Sequence, residues 1–232
     1  MESQARKPDW YQRDVQSINA DAQSPGKMRF LAFNLPRMPF YNRVLERLRT
    51  DPSTNFLDAG CCFGQEIRSL VDQGISGKQL FGCDVEQAFI DLGYLLFRDK
   101  DRSQLSRTMS GKIDIIFASS LFHLWDYDTQ VRAAIRLVRL CRDKPGVMIT
   151  GRQLGSRLGG HYPMHGVNEE ALHYRHNVET LKGFWRDIEA ATQTRWTLEA
   201  SFFADEAAEQ TNKVRPVEDT NATMIWWCAT RK

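Results

Sequence analysis

Several features that would mark whole classes of protein are missing from this chain. There is no C-x-x-C pair: Cys61, Cys62, Cys83, Cys141 and Cys228 are an odd number of cysteines without metal-ligand spacing. Free, mostly buried thiols are expected, and a zinc site is not. No apolar run approaches the roughly 20 residues of a bilayer crossing, and stretches such as Met224 to Ala229 fall far short. Met1 to Tyr11 carries charges, a proline and a tryptophan but no apolar core of a secretory signal, so the expected address is the cytoplasm. Charge of one sign is never massed. The 31 Lys plus Arg and 29 Asp plus Glu alternate along the chain and leave a net +2, which argues against a dedicated nucleic-acid surface. Internal repeats and low-complexity tracts are absent too.

What remains is the makeup of an ordinary globular domain. With 232 residues, 42% hydrophobic and 26% charged, the chain can bury roughly 70 to 75% of its unfolded surface around one core. Residues 1–38 read as an N-terminal arm and 39–232 as a single domain, with 152–192 a substrate loop and helix insertion. Tyr41, Val44, Leu45 and Leu48 recur at helical spacing. Asn55 to Ala59 and Gln79 to Cys83 read as buried strands, separated by a helix through Ile67, Leu70 and Val71 that Gly74 closes. A helix through Phe89, Ile90, Gly93, Tyr94, Leu96 and Phe97 leads to a third strand, Ile113 to Ala118. Val131, Ala134, Ile135 and Val138 mark a helix capped by Asp126 or Asp128, followed by a strand at Val147 to Thr150. Strands alternating with helices mean an α/β fold around a parallel sheet. After Gly151 the cluster Gly155, Gly159, Gly160 and Gly166 with His161, Pro163 and His165 reads as a flexible loop, and Asn168 as the cap of a segment running through Val178 to Ile188. Trp196 to Phe203 and Thr223 to Ala229 read as a hairpin adding antiparallel strands at one sheet edge.

The sharpest local pattern is Leu57-Asp58-Ala59-Gly60-Cys61-Cys62-Phe63-Gly64-Gln65, a strand passing through a Gly-bounded turn into a helix. Asp84 ends the next strand, roughly two dozen residues after Gly60. That is near the roughly 20-residue offset at which an acid takes the ribose hydroxyls of a nucleotide. Alone, the two glycines could merely end a strand and start a helix; with Asp84 at this offset they read as a binding turn. In G-x-G-x-x-G the middle glycine lets backbone approach a pyrophosphate. Cys62 stands there, which disfavours a dinucleotide and suits an adenosyl ligand without phosphates, such as S-adenosylmethionine. Ser119-Ser120-Leu121-Phe122-His123-Leu124-Trp125 follows the third strand, where open α/β sheets bind ligands. His123 is a candidate general base toward a phenol or alcohol, because its ordinary pKa lies near working pH. The alternative is a half-buried histidine bonded to backbone, since methyl transfer from a sulfonium is largely positioning and a carboxylate acceptor needs no base. His161 with His165 and His173 with His176 lack the geometry or the completing ligands of a metal site, and none is expected.

Leu57 to Gln65, Asp91-Leu92-Gly93-Tyr94-Leu95-Leu96-Phe97-Arg98-Asp99, Ile113 to Trp125, and Tyr174-Arg175-His176-Asn177-Val178-Glu179 resemble the small fungal class I methyltransferases of meroterpenoid and polyketide-terpenoid biosynthesis. The likeness covers most of residues 27 to 200. It implies a three-layer Rossmann-like sheet, mostly parallel with an antiparallel C-terminal hairpin. It also implies S-adenosyl-L-methionine as methyl donor and a small hydrophobic metabolite as acceptor, often a carboxylic acid converted to its methyl ester. Asp58, Gly60 and Gly64 match the family's cofactor loop, with Gln65 beside them. Asp84 and Val85 match the ribose-binding end of strand two, and Ser119 and Ser120 match the end of the family's fourth strand. Neither nucleic acid nor membrane is an expected partner, and a homodimer is left open.

One departure stands out. Residues 85–113 fall short of the roughly 40 that helix, strand, helix and their connections take, and the charged stretch 99–111 holds no apolar strand. The third, edge strand, which in such folds carries an acid for the adenine amino group, is therefore expected to be shortened or missing. This leaves a second reading, a degenerate methyltransferase-fold protein with lost or weak methyl transfer that acts as an accessory or non-methylating catalyst. A nicotinamide-dependent reductase is the third reading, and Cys62 speaks against it. Calorimetric titration with NAD is expected to give no measurable binding, and saturable binding would reverse the reading of Cys62.

Overall fold

The computed structural model describes residues 33–97, 109–164, 172–203 and 220–232. Its centre is a six-stranded sheet. The strands are β1 (Phe56–Ala59), β2 (Leu80–Cys83), β3 (Ile115–Ser119), β4 (Met148–Ser156), β7 (Trp196–Phe203) and β8 (Ala222–Arg231), in the order β2-β1-β3-β4-β8-β7. The first four run parallel, and β8 and β7 are antiparallel additions on the β4 side, as the sequence predicts. A two-stranded antiparallel ribbon, β5 (Gly160–Pro163) with β6 (Leu172–Arg175), stands apart. The helices are α1 (Tyr41–Thr50), α2 (Gln65–Asp72), α3 (Gln87–Phe97), α4 (Tyr127–Leu140) and α5 (Val178–Thr192). Among the described residues no helix is long and apolar enough to cross a membrane.

Alternation along the strands sorts the core into two layers. Leu57, Ile116, Ala118, Ile149 and Trp227 face Ala134, Leu137, Phe184 and Ile188 of α4 and α5. Phe56, Ile115, Phe117, Met148 and Cys228 face the other way, onto Leu35, Phe40, Val44, Leu48 and Leu70 from the N-terminal turn, α1 and α2. This is the helix–sheet–helix sandwich, and β2 is the terminal strand of the described sheet. Most of the stretch where an edge strand is expected to be lacking, 98–108, lies outside the described residues. Met109 to Lys112 form a turn against the end of α4, with Gly111 and Lys112 amides donating to the carbonyls of Arg139 and Leu140.

Helix ends follow local chemistry. Asp126 caps α4 by accepting from the Thr129 amide at 2.8 Å, and Gly74 (φ 85°) closes α2, its amide donating to Val71 and that of Ile75 to Leu70. Two expectations change. The flexible loop read after Gly151 is strand as far as Ser156, because long β8 supplies partners from Gly151↔Trp227 through Ser156↔Ala222; paired backbone overrides the glycine-rich composition. The predicted cap Asn168 lies outside the described residues, and α5 starts instead at Asn177, whose side chain and that of Thr180 form a reciprocal capping box.

At the amino ends of the parallel strands lies Asp114, with 0% exposure. Its carboxylate accepts from the Asn55 amide at 2.9 Å and meets Lys144 Nζ at 2.7 Å, Arg142 Nε at 3.2 Å and Arg47 Nη2 at 3.6 Å. A second buried polar cluster joins α4 to β6 and α5. Gln130 donates its amide hydrogens to the Trp125 and Tyr174 carbonyls, both at 2.9 Å, so its Oε1 accepts from His176 Nε2 at 3.1 Å. His176 Nδ1 is then the acceptor facing the Thr180 hydroxyl at 3.1 Å. Burial pushes the His176 imidazole down to about 3, which keeps it neutral.

Two outcomes follow from these clusters. Asp114→Ala leaves three cations around an emptied buried site and should lower unfolding stability by about 3 kcal/mol or more; an unmoved urea midpoint would contradict the hub. For His176 the folded pKa lies below the ordinary 6.5, so the unfolded chain binds the proton first as pH falls. Its contribution is complete above pH 6.5 and drains between about 6.5 and 3, at about 1.4 kcal/mol per pH unit. Urea unfolding at pH 7, 6 and 5 should show His176→Gln losing less stability on acidification than the parent chain, and equal losses would refute the neutral buried imidazole.

Candidate active site

The carboxyl ends of β1, β2, β3 and β4 carry a different chemistry from their amino ends. After β1 the chain turns through Gly60 (φ 79°), Cys62 (φ 49°) and Gly64 (φ 70°) before α2 begins. Left-handed backbone at Cys62 is uncommon for a residue with a side chain, and it is held by neighbours. The Gly60 and Cys61 amides both donate to the Cys83 carbonyl at 2.9 and 3.0 Å, and the Gly64 amide donates to Cys61 at 2.7 Å. The Cys62 amide donates to Asp84 Oδ2 at 2.8 Å, while Asp84 Oδ1 accepts from Glu86 at 3.0 Å. The acid at the end of β2 is thus aimed by two backbone amides, and Val85 beside it is 99% exposed.

Below the turn, α3 comes so close that a Cβ on Gly93 would stand 2.4 Å from the Phe63 carbonyl oxygen. Arg68 donates to the Phe63 and Gly64 carbonyls and lies 4.4 Å from the Phe97 ring centroid, clamping the turn to α3. Above it, a Cβ on Gly60 would meet Leu121 Cδ1 at 3.3 Å, so the bare backbone of the turn faces the loop after β3.

Asp58, buried at the end of β1, has its carboxyl held well above the usual range by burial, then by the nearby charges of Glu66 and Asp84. Its Oδ2 and the Oε1 of Gln65 are enclosed without a hydrogen-bond partner. Two orphaned acceptors beside a bare glycine turn suit a ligand carrying a hydrogen-bond donor, and the positions fit an adenosyl amino acid. Burial pushes the Cys62 thiol up to about 11 and raises Cys61 and Cys83 as well, which favours the protonated thiols over thiolates.

On the neighbouring loop, Ser119 ends β3 and Ser120 takes φ 53°, its amide donating to the Arg152 carbonyl at 2.7 Å. His123 follows in a short 3-10 turn, Phe122–Leu124. Its Nδ1 is enclosed without a partner. Burial first, then His173, Arg152 and Arg175, push its pKa down to about 3. The structure therefore brings Asp58, Gly60, Gly64, Gln65 and Asp84 around one turn, and sets Ser119, Ser120 and His123 on the loop that faces it.

Sequence reasoning missed four residues of this end. Glu66 accepts from the Asn34 and Leu35 amides at 2.6 and 3.1 Å, tying the N-terminal segment to the binding turn. Arg152, His173 and Arg175 surround His123. The signal for Arg152 was present, a single charge carried just past an apolar strand; that for His173 and Arg175 required knowing that β6 packs on the loop after β3.

No protein-family model matches the chain. It is 40% identical over 185 residues to O-methyltransferase phiE of Fungal sp. (strain ATCC 74256), covering 74% of this chain and 61% of that protein. It is 32% identical over 189 residues to O-methyltransferase atr3 of Stereocaulon alpinum, covering 75% and 54%, and 31% identical over 188 residues to the Asnovolin E/Chermesin D methyltransferase nvfJ of Aspergillus novofumigatus, covering 75% and 66%. The chain thus spans about half to two thirds of the length of these relatives. Among solved structures it shares the fold of Burkholderia thailandensis 1,6-didemethyltoxoflavin-N1-methyltransferase, with TM-score 0.58, 14% identity, and coverage of 100% of this chain and 93% of that one. It also shares the fold of the cyclase SpnF, with TM-score 0.57, 14% identity, and coverage of 82% and 80%. In sequence and in fold, the chain belongs to the family of fungal methyltransferases represented by phiE, atr3 and nvfJ.

Proposed function

We propose that the protein binds S-adenosyl-L-methionine and transfers its methyl group to an oxygen of a small hydrophobic metabolite, esterifying a carboxylic acid in fungal secondary metabolism of the meroterpenoid kind. The observation that carries this reading is the turn from Gly60 to Gly64, aimed at by Asp84 and floored by the partnerless acceptors of Asp58 and Gln65. When bound, the sulfonium supplies an electrophilic methyl carbon. Asp84 would accept from the ribose hydroxyls and Val85 would border the adenine, while the bare backbone of Gly60 and Gly64 would leave room for the adenosyl group. Asp58 and Gln65 would accept from the amino group of the methionyl end, and Ser119 and Ser120 would border it on the side of β3. Membership in the family supports the chemistry, as does the fold shared with methyltransferases.

His123 sets the kind of acceptor. With its pKa near 3 it is a feeble base at neutral pH, far from the matched value that proton abstraction favours. An acceptor that arrives already ionised suits it better than a phenol or an alcohol. A carboxylate brings no proton to remove, and catalysis is then proximity and orientation in a site shielded from water. His123 serves as a neutral hydrogen-bonding group against the acceptor.

A second reading keeps cofactor binding and drops methyl transfer. It draws on the short stretch between Asp84 and Asp114 and on the fold shared with a protein named as a cyclase, SpnF; function resides in the site rather than the fold. Incubation with labelled cofactor and candidate acids separates the two, since the first demands labelled ester and the second yields none despite binding.

Calorimetry should detect S-adenosylhomocysteine binding to the parent protein. Asp84→Ala should weaken it by about 10- to 150-fold for each charge-assisted hydrogen bond lost, with a thermal melt showing that the variant is folded. Unchanged affinity would remove Asp84 from the ribose site.

A further inference from the structure

Glu66 is the second residue of α2, directly after the turn from Gly60 to Gly64, and it is 2% exposed. An acid in the first turn of a helix ordinarily faces that helix's own free amides. Glu66 instead reaches across the chain: Oε1 accepts from the Asn34 amide at 2.6 Å and Oε2 from the Leu35 amide at 3.1 Å. Because both oxygens face N–H donors, the ionised carboxylate fits this place better than the acid, whose O–H would meet a donor. Burial raises its pKa, against the pull of the two amides and of the Arg152 charge.

Apolar packing repeats this tie one helical turn later. Leu35 and Phe40 share a buried cluster with Leu70 of α2 and with Leu80 and Phe117 of the sheet. The segment fastened in this way abuts the start of α2, where Gly64 takes left-handed backbone (φ 70°) and supplies no side-chain cap. Gln65, the residue before Glu66, holds an enclosed Oε1 without a partner, and Asp58 an enclosed Oδ2. The charge of Glu66 reaches Asp58 as well. Burial first, then Glu66 and Asp84, hold the Asp58 carboxyl well above its usual range, and the thiols of Cys61, Cys62 and Cys83 feel that same carboxylate.

We propose that Glu66 is a positioning residue of the Gly60 to Gly64 turn: by holding Asn34 and Leu35 it docks the N-terminal segment on the start of α2, and so fixes Gln65 and Asp58 for the ligand. The inference rests on the proposed cofactor site for its ligand and is independent of the reaction carried out there. Glu66 acts through its neighbours, in two ways. Docking of the segment and occupation of the turn are linked, so whatever docking contributes to cofactor affinity, the bound cofactor contributes to docking. The negative charge of Glu66 beside Asp58 also delays ionisation of that carboxyl, and an ammonium group gains its charge-assisted hydrogen bond from the ionised form.

Hydrogen exchange on the ligand-free chain tests the positioning by itself. Glu66→Gln keeps the size of the side chain, removes the charge and turns an NH2 toward one of the two amide donors. It should speed exchange at Asn34, Leu35, Cys62 and Gly64 by about fivefold or more, while amides at the centre of β4 keep their rates. Calorimetry with S-adenosylhomocysteine over a pH series tests the consequence for the site. Affinity of Glu66→Gln should fall about fivefold or more. The pH above which affinity rises should also move down, because the charge beside Asp58 is gone; a side chain that only held the fold would leave that pH in place. By reciprocity, saturating S-adenosylhomocysteine should slow exchange at Asn34 and Leu35 in the parent. Glu66→Asp keeps the charge but is one methylene short of both amides, so it should weaken binding without moving that pH; it carries the exchange and affinity tests should Glu66→Gln fail to fold. Unchanged exchange at the turn, equal S-adenosylhomocysteine affinity in parent and variants, or a pH response that Glu66→Gln leaves in place would each overturn the positioning role. Faster turn exchange in Glu66→Gln, in a parent chain that binds no S-adenosylhomocysteine, would keep the role and overturn the cofactor reading instead.

Discussion

The wholly buried carboxylate of Asp114 gathers the amino ends of the parallel strands. It takes the Asn55 amide at the entry to β1, while the Asp114 backbone carbonyl accepts from Met148 at the start of β4. Three cations close around it, Arg47 from α1 and Arg142 and Lys144 from the turn after α4. Each reaches it from a partly exposed stem, so the charged heads gain a partner without all being withdrawn from water. One acid therefore sets the relative positions of a helix, three strands and a turn. Register along β1, β3 and β4 then follows from Phe56↔Ile115 and Ile115↔Met148.

The carboxyl ends of the parallel strands carry a different set of polar irregularities. Of the three described non-glycine residues with left-handed backbone, Cys62 follows β1, Ser120 follows β3, and Gln193 closes α5. Partnerless acceptors occur at Asp58 and Gln65, and an enclosed partnerless nitrogen at His123. Each such feature costs stability in the folded chain, and each is offset by the apolar layers on both sides of the sheet. The strain and unsatisfied polarity at this end are what the proposed ligand would relieve on binding.

Close backbone approach keeps that end rigid. A Cβ on Gly151 would stand 2.4 Å from the Ala118 carbonyl oxygen and 2.7 Å from the Trp227 ring, and one on Gly155 would stand 2.5 Å from the His176 carbonyl oxygen. These glycines, read in sequence as loop punctuation, instead let an indole and a neighbouring backbone press onto β4. Beneath them Trp185 packs against Trp196 and Trp227 at 5.2 and 5.7 Å between ring centroids. Arg152 inherits its fixed position from this strand.

The alternation of apolar strands and amphipathic helices, the glycine turn, the offset to Asp84 and the antiparallel ending were all legible in the chain itself, because each is a local pattern of period two, period 3.6 or fixed spacing. The turn that joins Gly60 to Asp84 was legible for the same reason, since its residues are close in sequence or lie at the ends of consecutive strands. The continuation of β4 past Gly151 was not, because it depends on β8, some seventy residues later in register. Nor was the grouping around His123, which needs Arg152 from β4 and His173 and Arg175 from β6 to come near it. The sequence by itself determined the kind of fold and the end of the sheet to which the proposed ligand is assigned. The tertiary structure decided which side chains share that end and how their charges shift one another, since burial and Coulomb interaction depend on distance in space rather than along the chain.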